Sequence, residues 1–233
     1  MFLDARQLTK EFSSPTGVIR ALNGISFSQR GGEFLAIQGP SGCGKTTLLL
    51  TIGGLLRPSG GNVMIDGQDP YVLPPDRRAA FRAQNVGFVF QQFHLVPYLN
   101  VVENILAPCL AGVGEGMEQR AWELLRQFQL EDRASHVPAK LSTGERQRTC
   151  IARAMLRNPG LILADEPTGN LDANSASIVL DCLRKFTNCG GAVTMVTHEE
   201  TAAGYADTIL RMNAGSIVCQ GALKTGNGAA SVQ

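Results

Sequence analysis

Residues 34–46 read FLAIQGPSGCGKT, and the interpretation of this stretch decides the fold. Phe34-Leu35-Ala36-Ile37 is a short apolar run of strand character, Lys45 to Ile52 has helical composition, and the glycines between them sit at a strand-to-helix turn. Gly39 to Thr46 matches the spacing G-x-x-x-x-G-K-S/T at every required position. Gly39, Gly42 and Gly44 let the backbone fold around an anion without Cβ interference, so that successive N–H groups point at phosphate oxygens. The helix start near Lys45 adds the positive end of its dipole. Lys45 is expected to reach the β- and γ-phosphates as a point charge and the Thr46 hydroxyl to hold Mg²⁺. Pro40, Ser41, Cys43 and Thr47 complete the expected cradle. Cys43, just ahead of the helix start, reads either as a thiol of depressed pKa or as an inert small residue lining the loop.

Outward from this turn the chain alternates strands and helices. Phe2 to Thr9, Gly24 to Gln29 and Phe34 to Gln38 read as strands separated by turn-rich stretches such as Ser13 to Gly17, which predicts an antiparallel β layer leading into the core. Val63 to Ile65, Val86 to Phe90, Leu161 to Ala164, Ala192 to Val196 and Thr208 to Arg211 are further strand candidates. Asp76 to Arg82, Glu145 to Arg157 and Ala173 to Phe186 read as helices between them, the pattern of a mostly parallel sheet covered on both faces. From Gln91 to Asn158 the strand signals stop. Val101 to Leu110 and Met117 to Leu130 have helical character, so residues 92–158 are expected to form an α-helical insertion. The reading is one α/β domain over residues 1–223, with a frayed tail at 224–233 that has nothing to bury.

Composition narrows the function. The 233 residues are 44% hydrophobic and 18% charged, the mixture of a globular protein. Lys and Arg number 21 against 20 Asp and Glu, which gives no large field directed at nucleic acid or an anionic membrane. The charge-free stretch from Asn85 to Val102 is interrupted by Gln91, Gln92, His94 and Asn100, so no membrane span is expected. The start Met-Phe-Leu-Asp-Ala-Arg does not read as a secretory leader. Six cysteines without any C-x-x-C pair argue against a zinc site or a disulfide framework and suit a reducing compartment.

Leu161-Ile162-Leu163-Ala164-Asp165-Glu166-Pro167 is a buried strand ending in two carboxylates. Side chains alternate along a strand and the chain turns at its end, so the neighbouring acids can serve different roles. Asp165 is placed to coordinate Mg²⁺, directly or through water, and Glu166 to polarise a water against the γ-phosphate. A solvated acidic turn is the alternative reading of the same residues.

With these residues assembled, the sequence resembles the nucleotide-binding domain of ABC transporters, because that family's other motifs follow in order. Leu141-Ser142-Thr143-Gly144-Glu145 resembles the signature L-S-G-G-Q/E. Gln91, closing Gly87-Phe88-Val89-Phe90-Gln91, resembles the Q-loop glutamine, Gly169-Asn170-Leu171-Asp172 the D-loop, and Val196-Thr197-His198-Glu199 the switch-histidine segment. The match runs from about Phe2 to Cys219. It implies a P-loop NTPase core with an antiparallel β subdomain, hydrolysing ATP with Mg²⁺. It also implies a homodimer that sandwiches ATP between one copy's phosphate loop and the other's signature. Ser142 and the N–H groups of Gly144 and Glu145 would clamp the γ-phosphate from across the interface. His198 would orient that phosphate, Gln91 would join Thr46 and Asp165 at the metal, Asp172 would tie the two sites together, and Phe12 would stack under the adenine.

The run Gly87 to Ile105 is similar to the lipoprotein-release and macrolide-exporter branch of the family. That likeness implies a separate membrane permease, whose short helix would dock beside Gln91 on Phe93, Leu95, Val96, Tyr98 and Leu99. The subunit would then lie at the cytoplasmic face of the inner membrane, held there through the permease. A nucleotide-gated or membrane-remodelling module with little transport is the alternative. Thr143 stands where the signature carries its first glycine, and a β-branched residue resists positive φ. No sustained heptads split the cassette as in chromosome-organising relatives, and no N-K-x-D guanine reader is present.

Overall fold

The computed structural model describes residues 2–15, 17–109 and 115–222, which build two sheets. In the first, β1 (Leu3–Ser14) pairs antiparallel with β2 (Gly17–Gln29) and with β4 (Gly60–Ile65), in the order β2-β1-β4. The second also contains β3 (Phe34–Gln38), β5 (Val86–Val89), β6 (Leu161–Asp165), β7 (Ala192–Val196), β8 (Thr208–Asn213) and β9 (Ser216–Ala222). Its order is β5-β6-β7-β3-β8-β9, parallel throughout except for the β8–β9 pair at the edge.

Strands β3, β6 and β7 are buried at every residue, and their alternation assigns each side chain to one of two cores. Phe34, Ala36, Ile162, Ala164, Val193 and Met195 face one core. There they meet α5 (Thr143–Met155) and α6 (Ala173–Asn188), together with α3 (Val101–Leu106) and α4 (Met117–Gln127). Leu35, Ile37, Leu161, Leu163 and Val196 face the other core, against α1 (Lys45–Ile52) and the apolar side of the antiparallel sheet. A central strand covered on both faces reads as continuous apolar sequence, which is why FLAIQ and LILAD stand out. Two short helices, α2 (Pro75–Asn85) and α7 (Glu200–Ala203), lie at the periphery.

The differences from the predicted elements have local causes. The predicted helix over Val101 to Leu110 stops at Leu106 and continues as one 3-10 turn through Cys109, because Pro108 has no N–H to give; Leu110 lies outside the described residues. Helix α4 ends at Gln127 rather than Leu130, where Gln129 takes a left-handed φ of 54°. Helix α5 begins two residues before the predicted Glu145, because Ser142 is its N-cap. The predicted first strand ends at Thr9, whereas β1 runs on to Ser14 and forms a hairpin arm with β2. Strand β9 is absent from the sequence reading: it is an exposed edge whose residues show no apolar alternation, turned onto β8 at Ala214-Gly215. The tail predicted at 224–233 lies outside the described residues. Among the described residues no helix is long and apolar enough to cross a membrane.

Candidate nucleotide site

Parallel strands open a crevice beyond their carboxyl ends, and four of them deliver the site. β3 leads into the phosphate loop and α1, β6 ends on Asp165 and Glu166, β7 leads to His198, and β5 leads to Gln91. Between them lies a cavity of about 270 Å³. Ser41, Gly42, Gly44, Lys45, Thr46 and Thr47 form one wall, and Gln91, Asp165 and Glu166 form the other.

The loop is shaped by what its glycines lack. Gly44, at φ 103°, caps α1, and a Cβ there would lie 2.3 Å from the Ala21 carbonyl oxygen. At Gly39 a Cβ would lie 2.3 Å from the Met212 carbonyl oxygen and 2.8 Å from the Cys43 Sγ. Cys43 is 5% exposed, so its thiol packs beneath the loop and is not presented to solvent. Lys45 is almost wholly buried, and its Nζ donates to the carbonyls of Gly39 at 2.8 Å and Pro40 at 2.9 Å. Those two carbonyls occupy the ammonium where phosphate oxygens would otherwise take it.

Across the cavity the Thr46 hydroxyl donates to Asp165 Oδ2 at 2.8 Å. Burial raises the Asp165 carboxyl above the usual range, opposed by the Thr46 hydrogen bond, reinforced by the charge of Glu166 and opposed again by Lys45. A buried carboxylate, a hydroxyl and the carboxamide oxygen of Gln91 form an all-oxygen donor set suited to Mg²⁺ once phosphate oxygens complete it. Glu166 takes a left-handed φ of 47°, which turns its side chain away from that of Asp165. Its N–H is anchored to the Val196 carbonyl at 2.9 Å. One carboxylate oxygen accepts from Gln91 Nε2 at 3.1 Å, and the other lies 3.2 Å from His198 Nδ1. Gln91, Glu166 and His198, three candidates far apart in sequence, therefore meet in one group, Gln91 hydrogen-bonded to Glu166 and His198 in polar contact with it.

The signature residues lie apart from this cavity. Ser142 caps α5 in a reciprocal box: its hydroxyl oxygen accepts from the Glu145 N–H at 3.2 Å, while Glu145 Oε2 accepts from the Ser142 N–H at 2.7 Å. Burial pushes the Glu145 carboxyl up, but the Ser142 N–H and the Arg133 guanidinium, whose Nε is 2.8 Å away, outweigh it and hold it low. In the single chain the Glu145 N–H, expected to face the partner's phosphate, donates to the Ser142 hydroxyl. Thr143 is the first helical residue and does not adopt positive φ, so its β-branch meets no backbone penalty. Asp172 caps α6, accepting the Ser175 N–H at 2.9 Å and the Ser175 hydroxyl at 2.7 Å; those two bonds, the hydroxyl first, hold its carboxyl low.

Phe12 does not line the cavity. It stands on the β1–β2 arm, 40% exposed, with Lys10 Nζ 5.1 Å from its ring centroid, and belongs to neither apolar core. Phe93, Leu95, Val96, Tyr98 and Leu99 join neither apolar core, and Tyr98 is 79% exposed. Sequence reasoning missed what fixes this loop. Fully buried Asn104 accepts the Val96 N–H at 2.7 Å and donates to the carbonyls of Val96, Leu99 and Asn100 at 3.1, 2.8 and 3.0 Å. Arg153 donates to the carbonyls of His94 and Phe93 at 2.7 and 2.9 Å. Ser175 and the Thr168–Glu199 hydrogen bond of 2.8 Å, which links the segment after Glu166 to the one after His198, were missed as well. The spacing S-x-x-E at Ser142 and Glu145 is a capping signal that was open to reading.

Comparisons with known proteins agree with this geometry. The family described as "ABC transporter" matches residues 22–169. The lipoprotein-releasing system ATP-binding protein LolD 1 of Rhodopirellula baltica is 41% identical over 218 residues, covering 92% of this chain and 95% of its own. LolD 1 of Caulobacter vibrioides is 42% identical, with 92% and 94% covered. The macrolide export ATP-binding/permease protein MacB of Vibrio parahaemolyticus is 39% identical over 94% of this chain, which spans only 34% of that longer relative. Among solved structures, a dimeric post-hydrolysis state of the ATP-binding cassette MJ0796 bound to ADP and Pi superimposes with a TM-score of 0.89. That pair is 36% identical, with 95% of this chain and 99% of the other covered. A phosphate loop facing an acidic strand end, the ordered motifs and these likenesses lead to one conclusion: the chain belongs to the ABC transporter ATP-binding family.

Proposed function

We propose that this ABC ATPase is the motor subunit of an exporter or lipoprotein/lipid-extraction transporter, closing as a homodimer on two ATP molecules and reopening after hydrolysis. The observation that carries the reading is the convergence of Lys45, the Thr46–Asp165 pair, Gln91 and Glu166 on one cavity, with His198 joined to it through Glu166. In this reading Lys45 exchanges the carbonyls of Gly39 and Pro40 for β- and γ-phosphate oxygens, and loop N–H groups from Gly39 to Thr47 complete the cradle. Thr46, Asp165 and Gln91 hold Mg²⁺, which when bound neutralises charge on the phosphates. Glu166 polarises the attacking water, and His198, beside Glu166, orients the γ-phosphate. Phe12 offers the adenine a face.

The signature does not line the cavity of its own chain, so a single copy holds an incomplete site. Ser142 and the N–H of Gly144 would serve the partner's γ-phosphate, and loss of that phosphate would loosen the dimer. Residues 1–223 act as one cassette, with 92–158 as the helical part that meets the permease at Phe93 to Leu99. Attachment to the permease would hold the subunit at the cytoplasmic face of the inner membrane. Phosphate release under Mg²⁺ and ATP tests the reading: the parent chain turns over, and Glu166→Gln loses at least about 100-fold in kcat while still binding ATP. Equal turnover in the two proteins would remove Glu166 from its role.

A further inference from the structure

The N-terminal turns of α5 and α6 approach each other at Gly144 and Ser175. Gly144 is buried and has no positive φ, so its backbone conformation does not demand glycine. The space does: a Cβ on Gly144 would lie 2.7 Å from Ser175 Oγ and 3.1 Å from Ser175 Cβ. The same Ser175 Oγ donates to Asp172 Oδ2 at 2.7 Å, and the Ser175 N–H donates to Asp172 Oδ1 at 2.9 Å. One small residue thus fills the notch left by Gly144 with its side chain and occupies both oxygens of Asp172, one with its hydroxyl and the other with its backbone N–H.

We propose that Ser175 is a positioning residue that fastens the signature turn, Ser142 to Glu145, to the Asp172 turn within one chain, so that both reach the partner's nucleotide as one rigid unit. The proposal rests on the dimer reading above for its functional consequence, but the lock itself belongs to the single chain. It assigns the glycine at 144 to packing against Ser175 and not to close approach of a phosphate. A larger residue at 144 pushes α5 away from α6 and misaligns the Ser142 hydroxyl with respect to Asp172. Nucleotide binding to the phosphate loop of the same chain is untouched, because neither turn lines that cavity.

The test is a steric rescue on the full chain, with Gly144→Ala, Ser175→Gly and the double variant read in three ways. Without nucleotide, Gly144→Ala lowers the thermal midpoint, and the double variant, which removes both Oγ and Cβ from residue 175, regains at least half of the gap to Ser175→Gly alone. With a fluorescent ADP analogue, which has no γ-phosphate for the partner's signature and reads only the phosphate loop of the same chain, Kd stays within two-fold of the parent in all three. In steady-state hydrolysis Gly144→Ala loses at least ten-fold in kcat, Ser175→Gly loses a smaller, about three-fold share because its hydroxyl bond to Asp172 is gone, and the double variant returns to the Ser175→Gly level; parent kcat in Ser175→Gly overturns the positioning role. A double variant no more stable and no more active than Gly144→Ala overturns the proposal. Rescue of the thermal midpoint in a chain that never pairs on ATP would instead contradict the sandwich and leave the lock standing.

Discussion

Glu166 concentrates the chemistry of the site in one residue held by backbone geometry. Its left-handed φ costs on the order of 1 kcal/mol for a residue with a Cβ, and the hydrogen bond to Val196, the Gln91 carboxamide and His198 hold it there. The adjacent Asp165 stays behind with Thr46, so the two neighbouring acids separate, and in the proposed mechanism one would hold the metal while the other polarises water. Phe12 lies outside this group, and its contribution is measurable by itself. Phe12→Ala should raise KM for ATP about ten-fold, since one stacked base is worth about 1–3 kcal/mol, and leave kcat nearly unchanged. An unchanged KM would assign the ring to the hairpin surface. Thr143 makes the opposite prediction. Because it already sits in helical geometry, Thr143→Gly relieves no strain, and kcat should change by less than about three-fold; replacement of a helical residue by glycine costs at most about 1 kcal/mol.

Elements place these residues, and their ends decide how well. The loop from Phe93 to Asn100 has little apolar anchorage, so its shape rests on Asn104 and Arg153. Asn104→Ala takes from the Val96 N–H and the Leu99 carbonyl their side-chain partner and should cost about 1–3 kcal/mol. Hydrogen exchange at Val96 to Leu99 should quicken, with ATP binding retained; unchanged protection there would reassign the role of Asn104. A second link joins the residue just before β8 to α6 and β3. Arg184 grips Asp207 through two hydrogen bonds of 2.8 and 2.6 Å, and the Phe34 N–H adds a third at 2.8 Å. The Arg184 guanidinium, with the Phe34 N–H, holds the Asp207 carboxyl below its ordinary value despite partial burial. Its stabilisation is therefore present above the unfolded carboxylate range and fades as pH falls through the lower folded value. Asp207→Asn should cost about 1 kcal/mol at neutral pH, discounted for solvent access, and cost progressively less below about pH 4 in denaturant titrations. A pH-independent difference would show that packing, not charge, joins the two elements.

The central strands and α1 were legible because they are covered on both faces and bounded by glycine, proline or acid. Ends of helices were less so, since a cap such as Ser142 or a proline such as Pro108 acts through hydrogen bonds that periodicity does not register. β9 and the outer arm of β1 and β2 escaped because exposed edges carry no apolar rhythm. Within the site, the phosphate loop and the Asp165–Glu166 pair are contiguous and could be read directly. The meeting of Gln91, Glu166 and His198 depends on the order β5-β6-β7-β3, which no local pattern encodes.

At the scale of the whole molecule the described cassette is one half of a site. The cavity holds the charge-neutralising and water-polarising groups, while the signature turn faces elsewhere, locked to Asp172 through Ser175. In the proposed sandwich two copies would bring each signature to the other's phosphate loop, and the energy of closure would come from a γ-phosphate gripped on both sides. Blocking hydrolysis should therefore trap the pair. Light scattering of Glu166→Gln, measured with and without Mg²⁺ and ATP, tests this most directly. The account predicts a single chain without nucleotide and a mass twice as large with it, reverting when ADP replaces ATP; a mass that stays at one chain in saturating ATP would contradict it.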